Sequence, residues 1–194
     1  MRIERIECEN TEFLLNRLKG QVFHLTTQEA YSSVLEAGEI SNNKSEQFSL
    51  NTSSQCSYGR LHGYVCLFDL RDDSPDIIQK TLDCYNFIGP SWFEKVNDEN
   101  STWDIVYLLL NAKYYDRIIP NTAAHDYYSK TGKPPHLIPK TEVWIEDHLP
   151  LDWIDTALIV TIKHTPDLST YAGCLAWAVR KSSRLMGKSG EIEG

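Results

Sequence analysis

Residues 22 to 28, VFHLTTQ, set one histidine into an apolar, β-rich run, and the pattern predicts a strand with His24 near its end. The following TTQEAYSSVLEAG predicts a helix: Thr26 or Thr27 can cap it, Glu29 supplies an acidic first turn and Gly38 a stop. Residues 39 to 62, EISNNKSEQFSLNTSSQCSYGRLH, hold few aliphatic side chains and many Ser and Asn, so they read as a long loop. Loops of such length in a compact domain usually carry function or are disordered. Beyond it GYVCLFDL predicts a second strand, ended by the charged RDDSP, and PDIIQKTLDCY a helix opened by Pro75.

WDIVYLLL, residues 103 to 110, is the most apolar run in the chain, and its Ile-Val-Tyr centre and length predict a central strand. TAAHDYYSKTGKPPHLIPK reads as a second loop, punctuated by Gly132 and three prolines. TEVWIED then alternates like a half-buried strand, HLPLDW reads as a turn, and TALIVTIK as a further strand. From about residue 167 the spacing of Leu168, Tyr171, Leu175 and Val179 predicts an amphipathic helix ending near Gly187. The elements sum to an α+β chain with a mostly antiparallel sheet and flanking helices. Its 194 residues suit one domain, 1–194, with a core over about 20–165 and the C-terminal helix over about 167–187.

Charge narrows the partners. Against 27 acidic side chains stand 19 basic ones, a net charge of -8, so nucleic acid can be engaged only through a segregated basic patch. Lys130, Lys133 and Lys140 around the second loop, and Arg180, Lys181, Arg184 and Lys188 in the tail, are the basic residues available. The five cysteines are scattered and form no CxxC pair, which points to a reducing cytoplasm rather than a disulfide framework, and to no metal. MRIERIECEN lacks the apolar centre of a signal peptide, and no apolar run nears the roughly 20 residues of a membrane helix. There is no GxGxxG, GxxxxGK[ST], HExxH or GxSxG, so Rossmann dinucleotide binding, P-loop transfer, zincin hydrolysis and α/β-hydrolase chemistry lack their signatures.

What remains is a series of polar residues at strands beside polar loops: His24 and Thr26, then Ser57, Tyr58, Arg60 and His62, then Glu142. Each alone reads better as a structural residue, a satisfied histidine or a solvated strand-end glutamate, than as a functional one. Their order carries more. FHLT with AYSSVLEAGEI, GRLHGYVCLFDLR, WDIVYLLLNA with NTAAH, and KTEVWIEDHLPLDWIDTALIV occur collinearly over roughly residues 20 to 165. In that order they resemble the H-x-T, L-H-x-Y-V-P-F-Y-F, D-I-V-Y-L, T-D-x-H-A and A-E-x-L-V segments of the DarT family of NAD-dependent ADP-ribosyltransferases. The pattern departs at Cys66 and Asp69, at Thr141 before Glu142, and in the loop before Leu61, where Arg60 is the nearest arginine. These departures leave the acceptor open.

The resemblance implies a split, mostly antiparallel ADP-ribosyltransferase-like core that uses NAD as substrate. It implies Glu142 as the catalytic carboxylate, able to hold a ribose hydroxyl and to accept the nucleophile's proton. His24 with Thr26 would contact NAD through a ribose or phosphate, Arg60 would assist catalysis by pairing with a phosphate, and Tyr58 or Tyr64 would stack on nicotinamide. Arg71, closing the second strand, joins the NAD-binding set; His62 and His125 read as structural. The implied acceptor is a base in single-stranded DNA, ahead of RNA or protein, and the implied partner is a macrodomain antitoxin. A catalytically silent NAD- or nucleotide-binding module is the alternative.

Overall fold

A computed structural model of the chain describes residues 1–8, 11–47, 57–72, 74, 102–132, 136–138 and 140–163. Eight strands are formed among them: β1 (Arg2–Cys8), β2 (Val22–Thr27), β3 (Glu39–Ser41), β4 (Tyr64–Asp69), β5 (Thr102–Leu110), β6 (Glu142–Glu146), β7 (His148–Pro150) and β8 (Ile154–Lys163). The helices are α1 (Thr11–Leu18), α2 (Gln28–Ala37), the short α3 (Tyr58–His62) and α4 (Ala123–Thr131). Six strands form one sheet in the order β1-β8-β5-β2-β4-β6, and β3 pairs β7 in a second. Every neighbouring pair is antiparallel except β1 with β8. The architecture is therefore the α+β, mostly antiparallel one that the strand patterns predict.

The β2-α2 unit forms where local chemistry dictates. Thr27 is extended and its hydroxyl accepts from the Ala30 N–H, while Gly38 takes φ 76° and closes the helix with its N–H on the Val34 carbonyl. WDIVYLLL lies in the middle of β5, between β8 and β2. Its side chains alternate between two cores, as a strand covered on both sides requires. On the first face Phe23, Tyr107, Leu158 and Val160 pack with Leu14 and Leu18 of α1. On the second, Val22, Val106, Leu108 and Ile159 pack with Tyr31 of α2, and Tyr114 and Tyr115 of the 3₁₀ segment Ala112–Arg117 lie against them.

Several sequence readings are corrected. His24 is the third of six residues in β2, not at its end. The long polar segment is not loop throughout: β3 opens it and α3 closes it, so Tyr58, Arg60 and His62 are helical. The second loop contains α4, whose stop is Gly132 at φ 66°. TEVWIED is not half-buried, since Thr141 to Ile145 are all buried. Trp144 lies under α3 and α4 on one side while Val143 and Ile145 enter the second-face core on the other. HLPLDW holds β7 and a 3₁₀ turn, and MRIERIEC, unassigned from sequence, is the edge strand β1. The helices expected over PDIIQKTLDCY and 167–187, with Lys133 and the basic tail, lie outside the described residues. No described helix is long and apolar enough to cross a membrane.

Candidate functional site

The sheet opens beside His24. Strands β2 and β4 are paired only at Val22 with Asp69 and Phe23 with Phe68, whereas β2 pairs β5 and β4 pairs β6 over five residues each. Past Phe23 the gap is bridged by a side chain: the His24 Nδ1–H donates to the Cys66 carbonyl at 2.8 Å. That bond assigns the proton of the neutral ring to Nδ1 and leaves Nε2 as an acceptor. Burial lowers the His24 pKa, and the Cys66 carbonyl offsets this only in part.

A testable pH dependence follows. Unfolded, His24 titrates near ~6.5; folded, it resists protonation. Its contribution to stability is therefore full above ~6.5 and is lost as the pH falls from there through the lower folded value. Urea unfolding across this window should show a shallower pH slope for His24→Gln than for wild type; superimposable slopes would show that the ring titrates freely.

Glu142 occupies the other face. Phe23, Phe68 and Glu142 stand in one row, and directly opposed residues share a face, so His24 and Thr26, out of phase with Phe23, point to the opposite side. Two strand spacings, roughly 10 Å, separate β2 from β6. The structure thus does not bring His24 and Glu142 together on one surface.

Glu142 is 5% exposed, and its carboxylate is engaged at both oxygens. The Ile138 N–H donates to Oε2 at 2.8 Å, the Trp144 Nε1–H to Oε1 at 2.9 Å, and the Cys66 thiol lies 3.4 Å from Oε1. The Glu142 N–H also returns to the Ile138 carbonyl at 3.1 Å, so this one residue closes the turn 138–142. Lys140, in that turn, takes φ 66°, a conformation that disfavours side chains. Burial, reinforced by the adjacent Glu142 carboxylate, pushes the Cys66 thiol well above its ordinary pKa, which keeps it protonated.

The remaining predicted residues distribute as follows. Tyr64 lies on the Glu142 face, half-buried, with its ring 6.2 Å from Trp144. Tyr58 is buried against His62 at 4.0 Å and Trp144 at 4.8 Å, so its faces are already occupied by protein. Arg60 pairs with Glu46 at 3.1 Å. His62 is held by the Tyr58 carbonyl, as a structural histidine is, while His125 is exposed on α4. Arg71 grips Asp69 through two nitrogens, at 2.9 and 2.6 Å, and lies 4.7 Å over the Tyr115 ring. With Asp69, Asp72 and Lys140 it lines a cavity of about 430 Å³ at the end of β4.

Sequence reasoning missed Trp144, and it named Cys66 only as a departure from the pattern and Lys140 only as a basic residue of the second loop. The first was findable, since Trp144 lies two residues from Glu142 and a strand returns to the same face every second residue. Cys66 is 76 positions away, and no local signal joins it to Glu142. Among the described residues no cluster of side chains is arranged to hold a metal ion. The chain matches no family model, no curated protein and no solved structure.

Proposed function

We propose that the chain is a DarT-like ADP-ribosyltransferase that moves ADP-ribose from NAD to a nucleic-acid base, single-stranded DNA before RNA or protein, and releases nicotinamide. The observation that carries the reading is the opening of the sheet between β2 and β4 at His24, where the resemblance calls for a split core. The bond between nicotinamide and its ribose breaks, a bond from the ribose carbon to the acceptor nitrogen forms, and the acceptor's proton passes to a carboxylate. Glu142 is the buried carboxylate available, held in place by two N–H donors. Arg71 and Lys140 line one open pocket with Asp69 and Asp72, and a pyrophosphate there would draw Arg71 from Asp69. Tyr64 is the better stacking residue of the two tyrosines, because Tyr58 is already enclosed. A cytoplasmic toxin controlled by a macrodomain antitoxin completes the reading.

A second reading has its own observation. Glu142 is saturated by its neighbours and faces away from His24, as expected of a nucleotide-binding module without catalysis. Incubation of the purified chain with labelled NAD and with DNA, RNA and protein acceptors separates the two. The transferase reading expects label on an acceptor and free nicotinamide. Clear NAD binding with every acceptor unlabelled would select the binding module, and no binding of NAD or of any other nucleotide would remove both.

A further inference from the structure

Lys140 takes φ 66° in the turn that leads into Glu142. The turn is closed at its ends, by the Glu142 N–H on the Ile138 carbonyl and the Ile138 N–H on Glu142 Oε2, so its course does not depend on the side chain at 140. Glycine is the default residue for such a backbone and asparagine the next, because a Cβ crowds the following carbonyl in the left-handed region. Glu46 and Asp147 are the other described non-glycine residues with positive φ. Asp147 is of a type that tolerates the conformation, and the Glu46 side chain is held by Arg60. Neither reason applies to Lys140, which is exposed and whose ammonium has no partner among the described residues. Lys140 does line the pocket at the end of β4, where the other members are engaged: Arg71 grips Asp69, and Asp72 accepts the Ser74 N–H.

We propose that Lys140 is kept in a disfavoured backbone conformation because its ammonium is the first anchor of a diphosphate in this pocket. The proposal deepens the reading above and rests on its assignment of a pyrophosphate to the pocket, not on group transfer. Lys140 is the cation free to meet the anion, and Arg71 follows as it is drawn from Asp69. Local backbone strain of this kind persists where the surrounding structure imposes it, and it clusters at ligand clamps and active sites. Here the imposing contacts are the two bonds that close the turn, and the strain carries a charged group into a pocket. The anchor and the candidate carboxylate stand two residues apart on that one closed turn, so a single element places the diphosphate end of a nucleotide and Glu142.

Calorimetric titration of the full chain with inorganic pyrophosphate, beside melting curves, tests it. Lys140→Gly should melt about 2–4 °C higher than wild type, since it removes the left-handed Cβ, and Lys140→Asn should also gain. Both should bind pyrophosphate about tenfold or more weakly, the worth of a charge-assisted hydrogen bond. Lys140→Arg keeps the cation and the strain and should match wild type in both measurements. A wild type that takes up no pyrophosphate at millimolar concentration, a folded glycine variant that binds it as tightly as wild type, or glycine and asparagine variants that melt no higher than wild type would each overturn the proposal. Label transfer from NAD is read separately. A wild type that transfers label but ignores pyrophosphate would sink this proposal alone, whereas one that binds pyrophosphate through Lys140 and transfers nothing would sink only the transferase reading.

Discussion

Replacement of Glu142 by alanine is expected to cost about 3 kcal/mol of unfolding free energy as well as any transferase activity. The carboxylate takes hydrogen bonds from the Ile138 amide and the Trp144 indole, and Trp144 is wholly buried. Alanine would leave both donors without an acceptor in a dry environment, and each orphaned donor costs about 1–3 kcal/mol. The turn 138–142 loses its side-chain tie at the same time and keeps only the backbone bond from residue 142 to the Ile138 carbonyl, with the left-handed Lys140 between them. Chemical unfolding of the variant measures this directly; a stability within a few tenths of a kcal/mol of wild type would mean the carboxylate is not engaged as described.

That expectation governs how catalysis is tested. An inactive Glu142→Ala protein would be ambiguous between lost chemistry and lost structure. Glu142→Gln retains one acceptor oxygen and sets an amide nitrogen against a donor, so it should be the better folded of the two. If Glu142 is the base, the folded Gln variant should transfer ADP-ribose more slowly by roughly 10²-fold or more, the usual worth of such a group, while still binding NAD. Transfer at the wild-type rate would move the catalytic role elsewhere.

Gly59→Ala should destabilise the chain by about 2–3 kcal/mol although it adds one methyl group. A Cβ at this position would sit 2.6 Å from the Cys66 Sγ and 2.7 Å from both Cδ1 and Nε1 of Trp144. Neither neighbour can retreat easily, because the indole is buried and bonded to Glu142 and the thiol is wedged beside it. The α3 helix is pinned as well, by the Tyr58 N–H on the His136 carbonyl and by Gly63 as its left-handed cap. Overpacking of such a site typically costs about 1–3 kcal/mol, and rigid neighbours put this one at the upper end. A melting curve matching wild type would show that α3 is not docked this closely on β4 and β6.

Legibility in the sequence followed the range of the interactions. The β2-α2 unit was readable because its determinants, Thr27 on Ala30 and Gly38 on Val34, span three and four positions. WDIVYLLL announced a central strand through its composition alone. The helix α4 was obscured because the glycine that stops it and the prolines beyond it read as loop signals, while the residues before Gly132 carry little apolar pattern. For β6 the alternation suggested one wet face, but α3 and α4 cover that face, and nothing local to β6 encodes the cover.

The candidate site shows the same division more sharply. His24 and Glu142 were each identifiable as polar residues in strands, with no indication of the face each would take. The registers Phe23 with Phe68 and Phe68 with Glu142 decide it, by joining segments more than forty residues apart. The cavity at Arg71 likewise arises where the end of β4 meets the turn before β6. What the sequence by itself determined was the α+β class, the β2-α2 unit and the identity of the central strand, all consequences of short-range periodicity and capping. What only the tertiary structure decided was where the sheet opens, which polar groups share a face, and that Glu142 is bound to Trp144 and Ile138, because ladder register and burial are set by partners distant in the chain.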